Sequence, residues 1–364
     1  MITTNVLVLL GGLALLTAGA EALVRGASSL ARRSGVSPLV IGLTIVAAGT
    51  SAPELVTSVY AAIGGHPDVG IGNVVGSNTF NILFILGLVA LVQPPVVAQR
   101  LVWLDVPLMI GTSAAVVAMA YDGHLGRVDG ALLLAGFAIY VVISLRTSRG
   151  EPDAVREEYD HAYGSAARVG SVVVDAALVA VGIAALAFGA RLLVQAAVEL
   201  ARAAGLSEMV LGLTIVAAGT SVPEVATSVM AAVRKERDIA VGNIVGSNLL
   251  NMFLVLGLVG TISSAGVPIA AALLRFDMPV MLAAAVACLP IFVTGHRIDR
   301  WEGGLLVVYY VAYLLFTLLA AAHHDALPAL SAVMLAFVVP LTAITLGIVW
   351  SRELRTTPRA SRGS

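Results

Sequence analysis

Two carboxylates in this chain lie deep in apolar sequence with no basic residue beside them: Glu54 in GLTIVAAGTSAPE (42–54) and Glu224 in GLTIVAAGTSVPE (212–224). An ionised carboxylate is costly to keep away from water, so a group in that setting calls for a proton, a partner or a bound cation. Further oxygen surrounds each one. Thr50 and Ser51, and again Thr220 and Ser221, place hydroxyls within about one helical turn of the carboxylate. Pro53 and Pro223 have no N–H, and their rings clash with the carbonyls of Gly49 and Gly219. Both segments are therefore expected to kink or unwind there and to release backbone carbonyls. In apolar surroundings such carbonyls are tolerated only where they line a cavity or bind something.

A second motif adds amides. In GNVVGSNTFN (72–81) and GNIVGSNLLN (242–251), Asn73, Ser77 and Asn81 form a stripe along one helix face, and Asn243, Ser247 and Asn251 repeat it. Gly72 and Gly76 are a small-xxx-small pair that lets another helix approach. Asn78 and Asn248 lie off the stripe and are expected to hydrogen-bond between helices. Carboxylates, hydroxyls, amide carbonyls and opened backbone carbonyls, without His or Cys, suit hard cations such as Ca2+ or Na+. Two carboxylates brought together at low dielectric repel each other, so one divalent ion or several monovalent ions can neutralise the pair. Occupation by one kind of ion then excludes the other, which is what an exchanger requires.

The elements that must hold these residues are membrane spans. The chain has 364 residues, 59% of them hydrophobic and 12% charged, with a strongly positive mean hydropathy. That excludes an ordinary soluble domain and predicts an all-α integral membrane protein of roughly ten spans. Apolar segments place them at 5–25, 38–63, 69–93, 102–121 and 127–146, then 172–194, 208–232, 239–262, 273–295 and 303–322, with an eleventh at about 328–350. Residues 6–16 followed by Ala18, Gly19 and Ala20 resemble a signal peptide but lack a basic n-region, so they are read as the first span. Cys288 reads as a core side chain, and a net charge of −1 gives no reason to expect nucleic acid. Asp68 and Asp238 read as helix N-caps. Glu21, Asp105, Asp175 and Glu199 read as solvated or locally paired near span ends, and His323 and His324 as a loop pair.

The chain is also written twice. Shifted by 170 positions, residues 35–88 align with 205–258 without a gap, and 31 of the 54 positions are identical. The expected organisation is a first repeat (1–146, spans one to five), a linker (147–170), a second repeat (171–322, spans six to ten), and an extra span with an Arg-rich tail (323–364). Five spans per repeat is odd, so the halves enter the membrane from opposite sides: an inverted 5+5 repeat. With the N-terminus outside, 17 Lys and Arg fall on the inner side and four on the outer. That bias fixes the orientation and brings the C-terminal tail into the cytoplasm.

On the paired GTSxPE and GNxxGSN motifs the sequence resembles the cation/calcium exchanger superfamily, and within it the sodium/calcium exchanger branch of the prokaryotic type, over nearly the whole ten-span core. The resemblance implies Glu54 and Glu224 as shared Ca2+ and Na+ ligands. It adds carbonyls at Thr50 and Thr220, the side chains of Ser51, Ser77, Ser221 and Ser247, and further carbonyls at Ala47 and Ala217. Proton-coupled relatives carry GNxxE where this chain has GTSxPE, which points to sodium. Asn81 and Asn251 stand where branches differ; potassium-dependent relatives carry aspartate at the position of Asn251, which argues against potassium co-transport. The resemblance carries no large cytoplasmic regulatory loop into this chain.

The expected function is secondary antiport of Na+ against Ca2+ across the plasma membrane. Spans one and six would move against the rest and expose one central site to each side in turn. The alternative is the same fold coupled to H+, with Glu54 and Glu224 as proton carriers. A cation channel is a poorer fit because a channel needs a continuous pore. An intramembrane hydrolase lacks its Ser/His or paired Asp residues, so no enzyme activity and no cofactor is expected. Nor does an obligatory protein partner suggest itself beyond the lipid bilayer.

Overall fold

The computed structural model describes residues 2–34, 36–148, 171–203, 217–322, 324, 326–343 and 347. The expected linker from 149 onward, the first part of the seventh span, His323 and the Arg-rich tail lie outside the described residues. The elements are α1 (Ile2–Ser34), α2 (Pro38–Thr50), α3 (Ala52–Ile63), α4 (Pro67–Val92), α5 (Leu101–Asp122) and α6 (Arg127–Ser148). They are followed by α7 (Val172–Ala203), a short turn of helix at Ala217–Gly219, α8 (Val222–Val233), α9 (Arg237–Ile262), α10 (Leu273–His296), α11 (Arg300–Ala321) and α12 (Leu327–Val333). Eight of the described helices are long and apolar enough to cross a membrane, and the bent pair α2 and α3 makes a ninth span. At the position of the expected eleventh span, α12 continues into a wider turn at Met334–Val338 and is tied to α11 through the Tyr309 hydroxyl and Thr342 Oγ1, 2.7 Å apart.

Burial separates helices that look alike in sequence. The apolar windows of α4 and α9 are 78% and 94% buried, against 6% for α11. Helices α4 and α9 therefore form the centre, where their polar stripes meet only protein, while α11 presents its apolar surface to lipid. Gly246 lets α9 press on α2: a Cβ there would stand 2.6 Å from the Leu43 carbonyl oxygen. No described atom lies within 4 Å of such a Cβ at Gly72 or Gly76.

Helices α1 and α7 run beyond their expected ends and pack antiparallel on glycine. A Cβ at Gly12 would meet the Gly189 carbonyl oxygen at 3.0 Å, one at Gly19 the Gly182 carbonyl oxygen at 3.0 Å, and one at Gly26 the Asp175 carbonyl oxygen at 2.7 Å. Without side chains at these crossings the two backbones touch along several turns. At the far end of α1, Arg33 Nε and Ser29 Oγ both donate to Asp175 Oδ2 at 2.7 Å.

The acidic groups expected near span ends are paired: Glu21 with Arg25 and Arg234, Asp175 with Arg33, and Glu199 with Arg202. Asp105 departs from the solvated alternative. It is fully buried, held by Arg100 at 3.2 Å and by the Tyr140 hydroxyl at 3.4 Å, while Arg100 also donates to Ser144. Asp68 and Asp238 are not N-caps. His66 and Glu236 occupy those positions, and both aspartates sit in the first helical turn, where the helix dipole favours negative charge. The tight turns ahead of α4 and α9 differ in one respect: Gly65 adopts φ +85°, and its counterpart Lys235 adopts φ +63°, a conformation that costs a side-chain-bearing residue about 1 kcal/mol.

Gly182→Ala is expected to lower the thermal midpoint of the detergent-solubilised protein by several degrees, because its Cβ would lie 2.7 Å from Leu23 N and 2.8 Å from the Gly19 carbonyl oxygen. Gly11→Ala, where nothing lies within 4 Å, is expected to leave the midpoint unchanged. Equal midpoints for the two variants would remove close backbone contact as the reason for the glycine pattern.

Candidate functional site

The proline breaks form as the chemistry of proline requires. The axis bends by 48° between α2 and α3. Ser51 (φ −81°, ψ 6°) and Ser221 (φ −90°, ψ 8°) sit at the two breaks in the sparsely populated bridge region between helix and strand. Ser51 and Ser221 cap α3 and α8, so Glu54 and Glu224 fall in the first turn of a helix, where unpaired N–H groups favour an anion. The hydrogen bonds around the breaks are not identical: Ser51 N–H donates to the Ala47 carbonyl at 2.9 Å, Ser221 N–H to the Ala218 carbonyl at 3.2 Å. The Ala47 carbonyl oxygen also lies 3.3 Å from Thr50 Oγ1, so its lone pairs are directed at the protein.

Each half then completes the other. Ser51 Oγ donates to Glu224 Oε1 at 2.9 Å, and Ser221 Oγ donates to Glu54 Oε1 at 2.8 Å. Thr50 Oγ1 donates to Asn243 Oδ1 at 3.1 Å, and Thr220 Oγ1 donates to Asn73 Oδ1 at 3.3 Å. The amide nitrogens of Asn73 and Asn243 donate to Ser58 and Ser228, at 3.0 and 2.9 Å. Ser77 Oγ joins the cluster 3.1 Å from Ser221 Oγ and 3.5 Å from Glu54 Oε1. Both carboxylates, Thr50, Ser51, Ser77, Ser221, Ser247, Asn81 and Asn251 are buried, and Thr220 is half-buried.

The off-stripe asparagines link the centre as expected. Asn78 Nδ2 donates to the Asn248 carbonyl at 3.3 Å, Asn81 Nδ2 to Asn248 Oδ1 at 3.4 Å, and Asn251 Nδ2 to Asn78 Oδ1 at 3.0 Å. The amide oxygens of Asn81 and Asn251 have no partner among the described residues. Both residues also open a wider π-type turn, Asn81–Leu86 and Asn251–Val255, a distortion often found at functional positions.

One oxygen of each carboxylate stays without a partner. Glu54 Oε2, Glu224 Oε2, Asn81 Oδ1, Asn251 Oδ1 and Ser247 Oγ are all buried and have no hydrogen-bond partner among the described residues. Buried polar atoms are rarely left so, because an unmade bond costs about 1–3 kcal/mol each. Five buried oxygens from four helices thus have no hydrogen-bond partner among the described residues.

Sequence reasoning overlooked Ser58 and Ser228, which orient the stripe asparagines. The Thr50 and Thr220 hydroxyls, expected beside the carboxylates, bind across to the asparagines of the other half. Ser58 and Ser228 are identical at the repeat offset of 170, and that identity was the available signal.

Residues 4–146 and 174–319 match the family described as sodium/calcium exchanger protein. The chain belongs to that family. It is 40% identical over 324 residues to CaxA of Alkalimonas amylolytica, a candidate antiporter, covering 87% of this chain and 100% of that one. It is 33% identical over 346 residues to the sodium/calcium exchanger MaX1 of Methanosarcina acetivorans, covering 86% of this chain and 98% of that one. Among solved structures, the sodium-calcium exchanger NCX_Mj soaked with 2.5 mM Na+ and 10 mM Sr2+ superposes with a TM-score of 0.73 at 31% identity, over 85% of this chain and 98% of that one. The exchanger family is one of transporters, so the protein is a multi-pass membrane transporter rather than an enzyme.

Asn248→Ala removes the acceptor of Asn81 and the partner that positions it. It is expected to destabilise the solubilised protein by about 1–3 kcal/mol whatever ions are present. Thermal unfolding followed in ion-free buffer and again with Ca2+ measures this, and a loss confined to the Ca2+ condition would contradict a purely linking role.

Proposed function

We propose that this protein is a secondary antiporter that exchanges Na+ for Ca2+ at one central site built from both halves. The observation that carries the reading is the set of five buried, partnerless oxygens on Glu54, Glu224, Asn81, Asn251 and Ser247. Hard cations take oxygen ligands of this kind, and two carboxylates match either one Ca2+ or more than one Na+ in charge. Ser51, Ser77, Ser221, the freed carbonyls near Thr50 and Thr220, and the carbonyls of Ala47 and Ala217 complete the candidate ligand set. Of these, the Ala47 carbonyl contributes least, since it already accepts from Ser51.

In this reading residues 1–146 and 171–322 are two inverted repeats joined by a cytoplasmic linker at 147–170, with 323–364 as an added span and tail. The N-terminus lies outside and the C-terminus in the cytoplasm of a cell whose plasma membrane holds the protein. Helices α1 and α7, joined by glycine contacts, move as one body past the core and open the site to each side in turn. The two substrates neutralise the same carboxylates, so each displaces the other and the inward Na+ gradient drives Ca2+ out.

Ca2+ uptake into Na+-loaded proteoliposomes tests the coupling, compared with vesicles given only a pH gradient. Sodium-driven uptake is expected, with Glu54→Gln reduced to background and Ser221→Ala lowered about tenfold or more in apparent Ca2+ affinity, through the lost bond to the carboxylate. Uptake driven by pH alone would move the reading to H+/Ca2+ antiport at the same residues, and flux without a counter-ion would overturn antiport. Glu54→Gln is also expected to raise the thermal midpoint in ion-free buffer, by removing a buried charge, while abolishing the stabilisation that Ca2+ gives the parent.

A further inference from the structure

We infer that Glu21 on α1 and Arg234 at the end of α8 form a latch that shuts one side of the transport pathway in the conformation described here. The inference rests on the proposed movement of α1 and α7 against the core. Arg234 directs Nε to Glu21 Oε2 at 2.7 Å and Nη2 to Glu21 Oε1, a two-pronged guanidinium–carboxylate pair, and Arg25 adds its own Nε to the same carboxylate. Glu21, Arg25 and Arg234 line an open apolar cleft of about 830 Å3 between α1 and α8, together with Leu10, Leu13, Met230 and Val233.

Two ion pairs on α1 have different partners, and that difference assigns their roles. Arg33 and Ser29 bind Asp175 on α7, within the pair that moves together, so this clasp is kept throughout a stroke. Glu21 binds Arg234, which belongs to the core, so displacement of α1 past α8 must break it. The repeat offers a control of its own. At the offset of 170, Glu21 becomes Arg191 and Arg234 becomes Gly64, so the equivalent boundary between α7 and α3 faces an arginine with a glycine and has no such pair. The clasp is one-sided as well, since Arg33 and Asp175 correspond to Ala203 and Asn5. Two halves of similar backbone are thus biased by charge toward keeping the Arg234 side closed. In the proposed orientation that is the cytoplasmic side, which leaves the resting exchanger ready to take ions from outside.

A partly exposed pair of this geometry shifts a two-state equilibrium about two- to fivefold. The experiment uses the full chain with spin labels at Leu13→Cys on α1 and Val233→Cys on α8, with Cys288 replaced by Ser, reconstituted in ion-free vesicles. Glu21→Gln and Arg234→Gln are each expected to enlarge the population with the longer separation about two- to fivefold, and the exchange Glu21→Arg with Arg234→Glu to return it toward the parent. Asp175→Asn, which cuts the clasp inside the moving pair, is expected to leave that ratio unaltered. Half-saturating Ca2+ measured separately at the two membrane faces should fall at the Arg234 face in Glu21→Gln and rise at the opposite face. An unchanged distance distribution in both single variants, or no recovery in the charge exchange, overturns the latch. The distances do not depend on which ion is carried: a population shift without sodium-driven uptake leaves the latch standing and defeats the coupling, and the reverse result defeats the latch alone.

Discussion

The structure depends on one unmet electrostatic demand: two buried carboxylates, each with one oxygen satisfied by a serine of the opposite half and one oxygen without a partner among the described residues. A fully satisfied pair would be a structural ion network and would hold its partners permanently. A fully unsatisfied pair would be too costly to bury. Half-satisfaction fixes the direction of each carboxylate while leaving capacity for a substrate. The proline breaks, the burial of α4 and α9 and the asparagine links can all be read as what is needed to keep those oxygens in place.

Much of this was legible in the sequence because the responsible features are local. A proline four residues beyond Gly49 breaks a helix in any protein, and the 48° bend follows. Residues spaced by four share a helix face, and Asn73, Ser77 and Asn81, like Asn243, Ser247 and Asn251, lie on one stripe. The duplicated motifs point to the residues that the structure brings together at the centre. Features that depend on partners were not legible. Nothing in the local sequence of Asp105 distinguishes a solvated carboxylate from one buried against Arg100 and Tyr140, since that outcome is decided by α6, far along the chain. Asp68 and Asp238 missed the N-cap position by two residues, a shift that helix propensity does not resolve. The wide turns at Asn81 and Asn251 left no mark in composition.

Symmetry and its violations divide the labour. The site uses the repeat faithfully: Ser51 with Glu224 mirrors Ser221 with Glu54, and Thr50 with Asn243 mirrors Thr220 with Asn73. The periphery departs from it, with the Arg33–Asp175 clasp and the Glu21–Arg234 pair at one end only. A binding site that must look alike from both sides benefits from matched halves. A carrier that must prefer one resting state needs unmatched ones, and a few charges on α1 supply the difference without disturbing the centre.

The reciprocal serine bonds also bear on how the protein is made. Glu54 leaves the ribosome 167 residues before Ser221, the donor that orients it. Until α8 has inserted, the first half carries a carboxylate and the Asn73 amide oxygen in the bilayer with their long-range partners still unsynthesised. The bonds from Ser221 to Glu54 and from Thr220 to Asn73 can therefore form only after the second half has been made. A chain that stops after residue 148 would lack both bonds, and with them the orientation of its one central carboxylate.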